Sequence, residues 1–309
     1  MFKIKQIPED FKVKEFMKFK LDRGGYLYFI LKKRNYNTLD AIAQISNKLK
    51  VDIKRFGFAG NKDKKAITQQ YVSVFNINKE NLDKLNLKDI EIKSLGYSDK
   101  PISIGSLDYN EFEITVRNLD SKNYNEFDYL ENYFDEQRFG FNKNNQLIGK
   151  AIIKKEFEKA CKLLNLYVKN NDYINVLKSI GIKKLRFYIH AFQSDLFNKV
   201  LQEYLKQNKV SKNFKIPLIN FDTRFKDRVL EWIYKKILQQ EDVKLEDFLI
   251  RQLPELISDT VERNAFVKIK NFKIDFYKDE LNKGRLKAVL KFRLPKGAYA
   301  TLVVKKLFS

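Results

Sequence analysis

The sequence predicts an α/β (α+β) chain in which one sheet domain is interrupted by an insertion. Two observations carry that expectation. Apolar, β-rich stretches lie towards both ends, while the middle repeats apolar residues at helical spacing. A third sets the scale: 309 residues, 44% hydrophobic and 14% aromatic, suffice for two domains with a sizeable core. With 11 Gly and 5 Pro, no linker announces itself, and no repeat or low-complexity segment is visible.

Residues 26–33 (YLYFILKK) read as a buried strand. Thr38 then falls at an N-cap position with Asp40 in the first turn. Leu39, Ile42, Ile45 and Leu49 follow at helical spacing, so 38–50 is an amphipathic helix. Short strands are expected at 55–60 and 71–75, with the polar turn Gly60-Asn61-Lys62-Asp63-Lys64-Lys65 between them. Further strands are expected at 90–97 and 112–116. Helical periodicity covers 124–134, 150–168, 188–207, 224–240 and 245–252. In the third of these, Ile189, Phe192, Leu196, Val200 and Tyr204 form one stripe. Strands return at 286–292 and 299–304, around a turn at 294–297.

Lys and Arg number 61 against 39 Asp and Glu, a net charge of +22. An AT-rich genome raises Lys, but it raises Glu alongside it, so the surplus needs another cause. Nucleic acid is the commonest polyanion, with an anionic membrane surface second. Lys is spread over the whole chain and no basic amphipathic helix stands out, which counts against the membrane. One Cys (Cys161) and one His (His190) exclude an internal disulfide framework, Cys/His zinc sites and any mechanism that needs two histidines. No apolar run approaches the ~20 residues of a membrane span. The amino terminus lacks the apolar stretch of a signal peptide. The expectation is a soluble, cytoplasmic protein.

Asp63 is the first candidate for chemistry. Taken alone, Gly-Asn-Lys-Asp is an ordinary turn. A carboxylate among lysines is also favoured as its anion, and an ionised carboxylate can act as a nucleophile near an electropositive, phosphate-attracting surface. Composition leaves both readings open. Phe11, Tyr133, Phe134 and Tyr299 adjoin polar or basic residues; each by itself reads as core, and together with Lys and Arg they can stack on bases. Asn132 and Gln137 beside Arg138 either cap a helix or read a base edge. His190 and Cys161 read as packing residues.

Six segments together resemble the TruD family of RNA pseudouridine synthases. Residues Ala59 to Gln70 (AGNKDKKAITQQ) are similar to the family pattern A-G-x-K-D-x-x-A-x-T-x-Q, and Asn132 to Gly140 (NYFDEQRFG) to N-Y-F-G-x-Q-R-F-G. Lys5 with Pro8 to Glu15 resembles K-x-x-P-E-D-F-x-V-x-E, and Asn37-Thr38 the N-T after the first long strand. Residues 191–198 resemble A-x-x-S-x-L-F-N, and Leu294 to Thr301 resemble L-P-x-G-S-[FY]-A-T. The segments keep the family order and span nearly the whole chain. Asp135 stands where the family has Gly, a substitution that a positive φ would strain. Tyr109 stands where the family tends to Gly, and Ser258 to Arg263 matches only loosely.

The resemblance implies a pseudouridine synthase fold, with a mixed, largely antiparallel sheet in a catalytic domain of residues 1–152 and 269–309. An inserted α/β domain would occupy 153–268. It implies isomerisation of uridine to pseudouridine in RNA, at uridine 13 of tRNA, with Asp63 catalytic and no metal or other cofactor. Lys5, Phe11, Asn132, Phe134 and Tyr299 would bind a substrate whose target base is flipped out. The implied partner is tRNA, with no membrane, nucleotide cofactor or obligate protein partner. A non-catalytic RNA-binding protein that keeps the fold is the alternative.

Overall fold

A computed structural model describes residues 1–207 and 211–309. The chain packs as two compact units, Met1–Asp128 with Lys268–Ser309, and Tyr129–Val267. The divide by packing falls at 128/129, ahead of the 152/153 expected from sequence.

In the first unit the strands are β1 (Phe11–Phe16), β2 (Tyr26–Arg34), β3 (Phe56–Phe58), β4 (Ile67–Phe75), β5 (Ile90–Ser98) and β6 (Tyr109–Leu119). Helices α1 (Thr38–Leu49) and α2 (Lys79–Asp83) lie between them in sequence. In the second unit β7 (Tyr129–Glu131) is followed by α3 (Asn145–Ile153), α4 (Phe157–Leu163), α5 (Tyr173–Ser179), α6 (Ile182–Gln207), β8 (Lys215–Leu218), α7 (Arg228–Gln240), β9 (Val261–Asn264) and β10 (Phe266–Lys268). The chain then completes the first unit with β11 (Lys270–Lys278), β12 (Leu286–Pro295) and α8 (Ala300–Leu307).

The first unit is built on a sheet of order β11-β12-β6-β1-β4-β2-β5, with β3 paired to β4. β1 and β4 run parallel. The other registered pairs, such as β1 with β6 and β2 with β4, are antiparallel, so the sheet is mixed and largely antiparallel. β2 buries Leu27, Phe29 and Leu31 at two-residue intervals. These pack with Val72 and Val74 of β4 and with Ala41, Ile42 and Ile45 of α1 in one cluster. The N-cap of α1 is Asn37, whose side chain accepts from the Asp40 N–H at 2.7 Å. Thr38, expected at that position, is the first helical residue instead, and this frees its hydroxyl for other work.

The second unit centres on α6, which buries Leu185, Phe192, Leu196, Phe197 and Val200. α3 crosses it closely at Gly149: a Cβ there would stand 2.1 Å from the Tyr188 carbonyl oxygen, so only glycine fits. β8 pairs antiparallel with β9, and β7 pairs with β10. These contacts draw residues 129–152 into the second unit.

Four local expectations are corrected. The stretch 124–134 is not helical; its one regular piece is β7, held by pairing with a strand far along the chain. The stretch 299–304 is not a strand but the start of α8, whose Ala300, Val303, Val304 and Leu307 are buried at helical spacing. The stretch 150–168 is two helices broken at Lys155, where φ is 60°. Residues 245–252 give only a short 3-10 turn, Leu245–Phe248, rather than a helix. Among the described residues no helix is long and apolar enough to cross a membrane.

Candidate active site

Asp63 lies in the irregular segment between β3 and β4, and that segment is fastened at successive points. The Gly60 carbonyl accepts from Gln70 Nε2 at 3.2 Å. The Lys62 N–H donates to the Thr38 hydroxyl at 2.9 Å, and that hydroxyl donates to Gln70 Oε1 at 2.8 Å. The Ala66 N–H donates to the Lys64 carbonyl at 2.8 Å and closes the bend before β4.

The lysines beside Asp63 do not hold its carboxylate. Lys62 turns to Glu15 of β1, with Nζ 2.5 Å from Oε2, and both side chains are nearly sealed from solvent. Lys64 and Lys65 are exposed. The cation on Asp63 is Lys5, whose Nζ donates to Oδ2 at 2.6 Å. Asp63 keeps 35% of its side chain exposed and Lys5 17%, so the carboxylate is oriented yet reachable. Lys5 Nζ also lies 4.1 Å from the centroid of the Phe11 ring, a cation–π contact. Phe11 is 3% exposed and packs edge-on against Phe112.

The segment carrying Lys5 is fixed in turn by Asp10 and Arg117. The Ile7 N–H donates to Asp10 Oδ2 at 3.1 Å, and Arg117 Nε donates to Asp10 Oδ1 at 2.8 Å. Lys3 and Arg117 exchange backbone hydrogen bonds at 2.9 and 2.8 Å.

Lys33 is a residue that sequence reasoning passed over. It is 1% exposed, and its ammonium donates to the Tyr36 carbonyl at 2.5 Å, the Asp63 carbonyl at 3.0 Å and the Lys62 carbonyl at 3.4 Å. Burial pulls its pKa down to about 8, against the nearby Asp63 charge and with the nearby Lys62 charge. The signal was present in β2, where a lysine continues the buried series Leu27, Phe29, Leu31.

Asn132 and Phe134 are brought together in the second unit. Asn132, 5% exposed, donates through Nδ2 to the Asn264 carbonyl at 2.9 Å and accepts at Oδ1 from Arg263 Nη2 at 2.7 Å. Arg263 also stacks over the Phe134 ring at 4.0 Å. The backbone N–H and carbonyl of Phe134 are both bonded to the Asn198 amide, at 2.8 and 2.9 Å. Arg263 and Asn198 thus build this cluster, and the loose match at 258–263 and the Asn of the 191–198 segment were their traces in sequence. Asp135 adopts φ −83°, an ordinary extended value, so the departure from Gly brings no strain. Tyr299 is half-buried at the N-cap of α8, in the first unit. Cys161 is buried, and burial raises its thiol. Burial, then the charges of Arg138 and Arg186, hold His190 below its ordinary value.

A family model described as tRNA pseudouridine synthase D (TruD) matches residues 2–169 and 208–307. The tRNA pseudouridine synthase D of Aquifex aeolicus (strain VF5) is 32% identical over 383 aligned residues, covering 99% of this chain and 98% of that protein. That alignment is longer than the 309 residues here, so the relative carries segments that this chain does without. A crystal structure from Methanosarcina mazei, assigned to tRNA pseudouridine synthase D (TruD), matches with a TM-score of 0.74 at 26% identity, over 99% of this chain and 93% of that one.

Proposed function

This chain belongs to the tRNA pseudouridine synthase D (TruD) family of isomerases, and from that premise we propose that it converts uridine 13 of tRNA to pseudouridine with Asp63 as the catalytic carboxylate. The observation that carries the reading is the Lys5–Asp63 pair at 2.6 Å, on a segment pinned by Thr38, Gln70 and Lys33.

The reaction breaks the bond between uracil N1 and the sugar, turns the base, and joins its C5 to the sugar. A proton leaves C5 and one is gained at N1, so no oxidant or reductant is consumed. Asp63 either adds to the anomeric carbon, abstracts a ribose proton, or adds to the ring. In each case the carboxylate must be held still, which Lys5 supplies. The target uridine leaves its stack at a cost of a few kcal/mol, which base–aromatic contacts of about 1–3 kcal/mol offset. Phe11 and Tyr299 are the proposed aromatics beside the Asp63 unit, and Asn132 and Phe134 the proposed substrate contacts of the second. The unit of residues 1–128 and 268–309 is then catalytic, and 129–267 is the inserted domain. With +22 net charge, tRNA affinity falls steeply with salt.

Asp63→Asn is expected to bind tRNA as the parent does and to form no detectable pseudouridine in single-turnover assays. Unchanged turnover would refute the assignment. A transcript with cytidine at position 13 is expected to yield no product, and product elsewhere in it would move the target.

A further inference from the structure

We infer that Lys33 is a positioning residue for the catalytic carboxylate: its buried ammonium fixes the two peptide planes on either side of the Asp63 Cα. The inference rests on the reading of Asp63 as catalytic. The carbonyl of Lys62 belongs to the peptide before that Cα and the carbonyl of Asp63 to the peptide after it, and Lys33 Nζ donates to both. The third donor hydrogen goes to the Tyr36 carbonyl, in the turn from β2 to α1. Holding both planes sets the direction of the Asp63 Cα–Cβ bond. Thr38 fixes the peptide one step earlier through the Lys62 N–H.

Among the described residues the acceptors of Lys33 are backbone carbonyls, with no carboxylate. Core packing does not need such a group, since Leu27, Phe29 and Leu31 fill the same face of β2 with apolar side chains. An ammonium buried without a directly bonded carboxylate is costly, and neighbouring apolar residues show what the site would hold on stability grounds alone. The lysine ammonium supplies three donors at once. A neutral amine supplies two, so deprotonation releases one carbonyl. The charged groups facing it are Asp63 and Lys62 from the loop; Lys5 in turn pairs with Asp63, and Glu15 with Lys62.

The test compares the full-length parent with Lys33→Met, which keeps volume and removes the donors. Single-turnover pseudouridine formation at saturating tRNA is expected to fall about 100-fold, the order of loss for a reacting group misplaced by about 1 Å. Affinity for tRNA by filter binding is expected to stay the same. The parent rate is expected to fall as pH rises through about 8, and the variant is expected to lack that limb. Protection of Lys62, nearly sealed against Glu15, from trypsin is expected to be lost. A folded variant with parental rate and parental protection overturns the inference. Should Lys33→Met not fold, cleavage of the parent at Lys62 relative to its other lysines, followed from pH 7 to 9, decides: a rise supports the inference, and no change overturns it. Asp63→Asn runs alongside. If it keeps turnover the catalytic reading fails, whereas the trypsin result still reports on the loop.

Discussion

Two buried cations in the sheet unit are held in opposite ways. Arg117 of β6 meets carboxylates, with Asp10 and Asp279 each at 2.8 Å and Glu280 at 3.1 Å. Burial opposes its charge, but those three partners hold its pKa above the ordinary value. Lys33 of β2 meets carbonyls alone, and burial brings it down to about 8. The first arrangement is a permanent clamp, because guanidinium does not deprotonate and its partners are charged. It fastens the segment that delivers Lys5. The second is a titratable clamp next to the proposed catalytic group. The contrast separates a cation kept for architecture from one kept for placement.

The largest effect should come from Arg117→Met. It leaves Asp10 and Asp279 buried without their partner, and a loss of about 3–5 kcal/mol is expected in urea unfolding followed by circular dichroism. Lys33→Met should cost less in the same assay, about 1–3 kcal/mol, because it leaves backbone carbonyls rather than buried carboxylates without their donor. A loss as large as that at Arg117 would make the two clamps alike and break the contrast.

Acid comes next. Burial raises Asp279, but hydrogen bonds from the Asn118 and Leu281 N–H groups, Asn282 and Arg117 bring it down to about 2. Arg117 and Lys287 bring Glu280 to about 2 as well. Folded values below the unfolded ones give stability that is fully present above the ordinary carboxylate range and lost as pH falls through about 2. The melting temperature should therefore drop between about pH 4.5 and 2, and less steeply in Arg117→Met. Lys33 has the opposite sign. Its folded value lies below its ordinary 10.5, so its cost is full below about 8 and fades as pH rises towards 10.5. The smallest effect belongs to Lys32, next to Lys33 but on the other face of β2. It pairs with Glu91 at 2.9 Å in the open, and Lys32→Ala should cost less than about 1 kcal/mol in urea unfolding.

Much of this was legible in the residues. The buried strand at 26–33 and the helix after it follow from period-two and period-three-to-four apolar spacing, and both stand in the structure. The run Ala59 to Gln70 pointed to Asp63 as one motif. Residues 299–304 misled because Thr301, Val303 and Val304 favour strands by propensity, although the apolar spacing through Leu307 is helical. Residues 124–134 misled in the other direction, since β7 exists only by pairing with β10.

The sequence by itself determined the family, the candidate nucleophile and most elements, because these live in short motifs and local periodicity. Only the tertiary structure decided which cation serves which group. Lys5 reaches Asp63 across 58 positions and Arg117 reaches Asp279 across 162, while Lys62, adjacent to Asp63, turns away to Glu15. Charges pair by distance in space, and in this molecule that distance is set by the register of strands that the linear order of residues does not reveal.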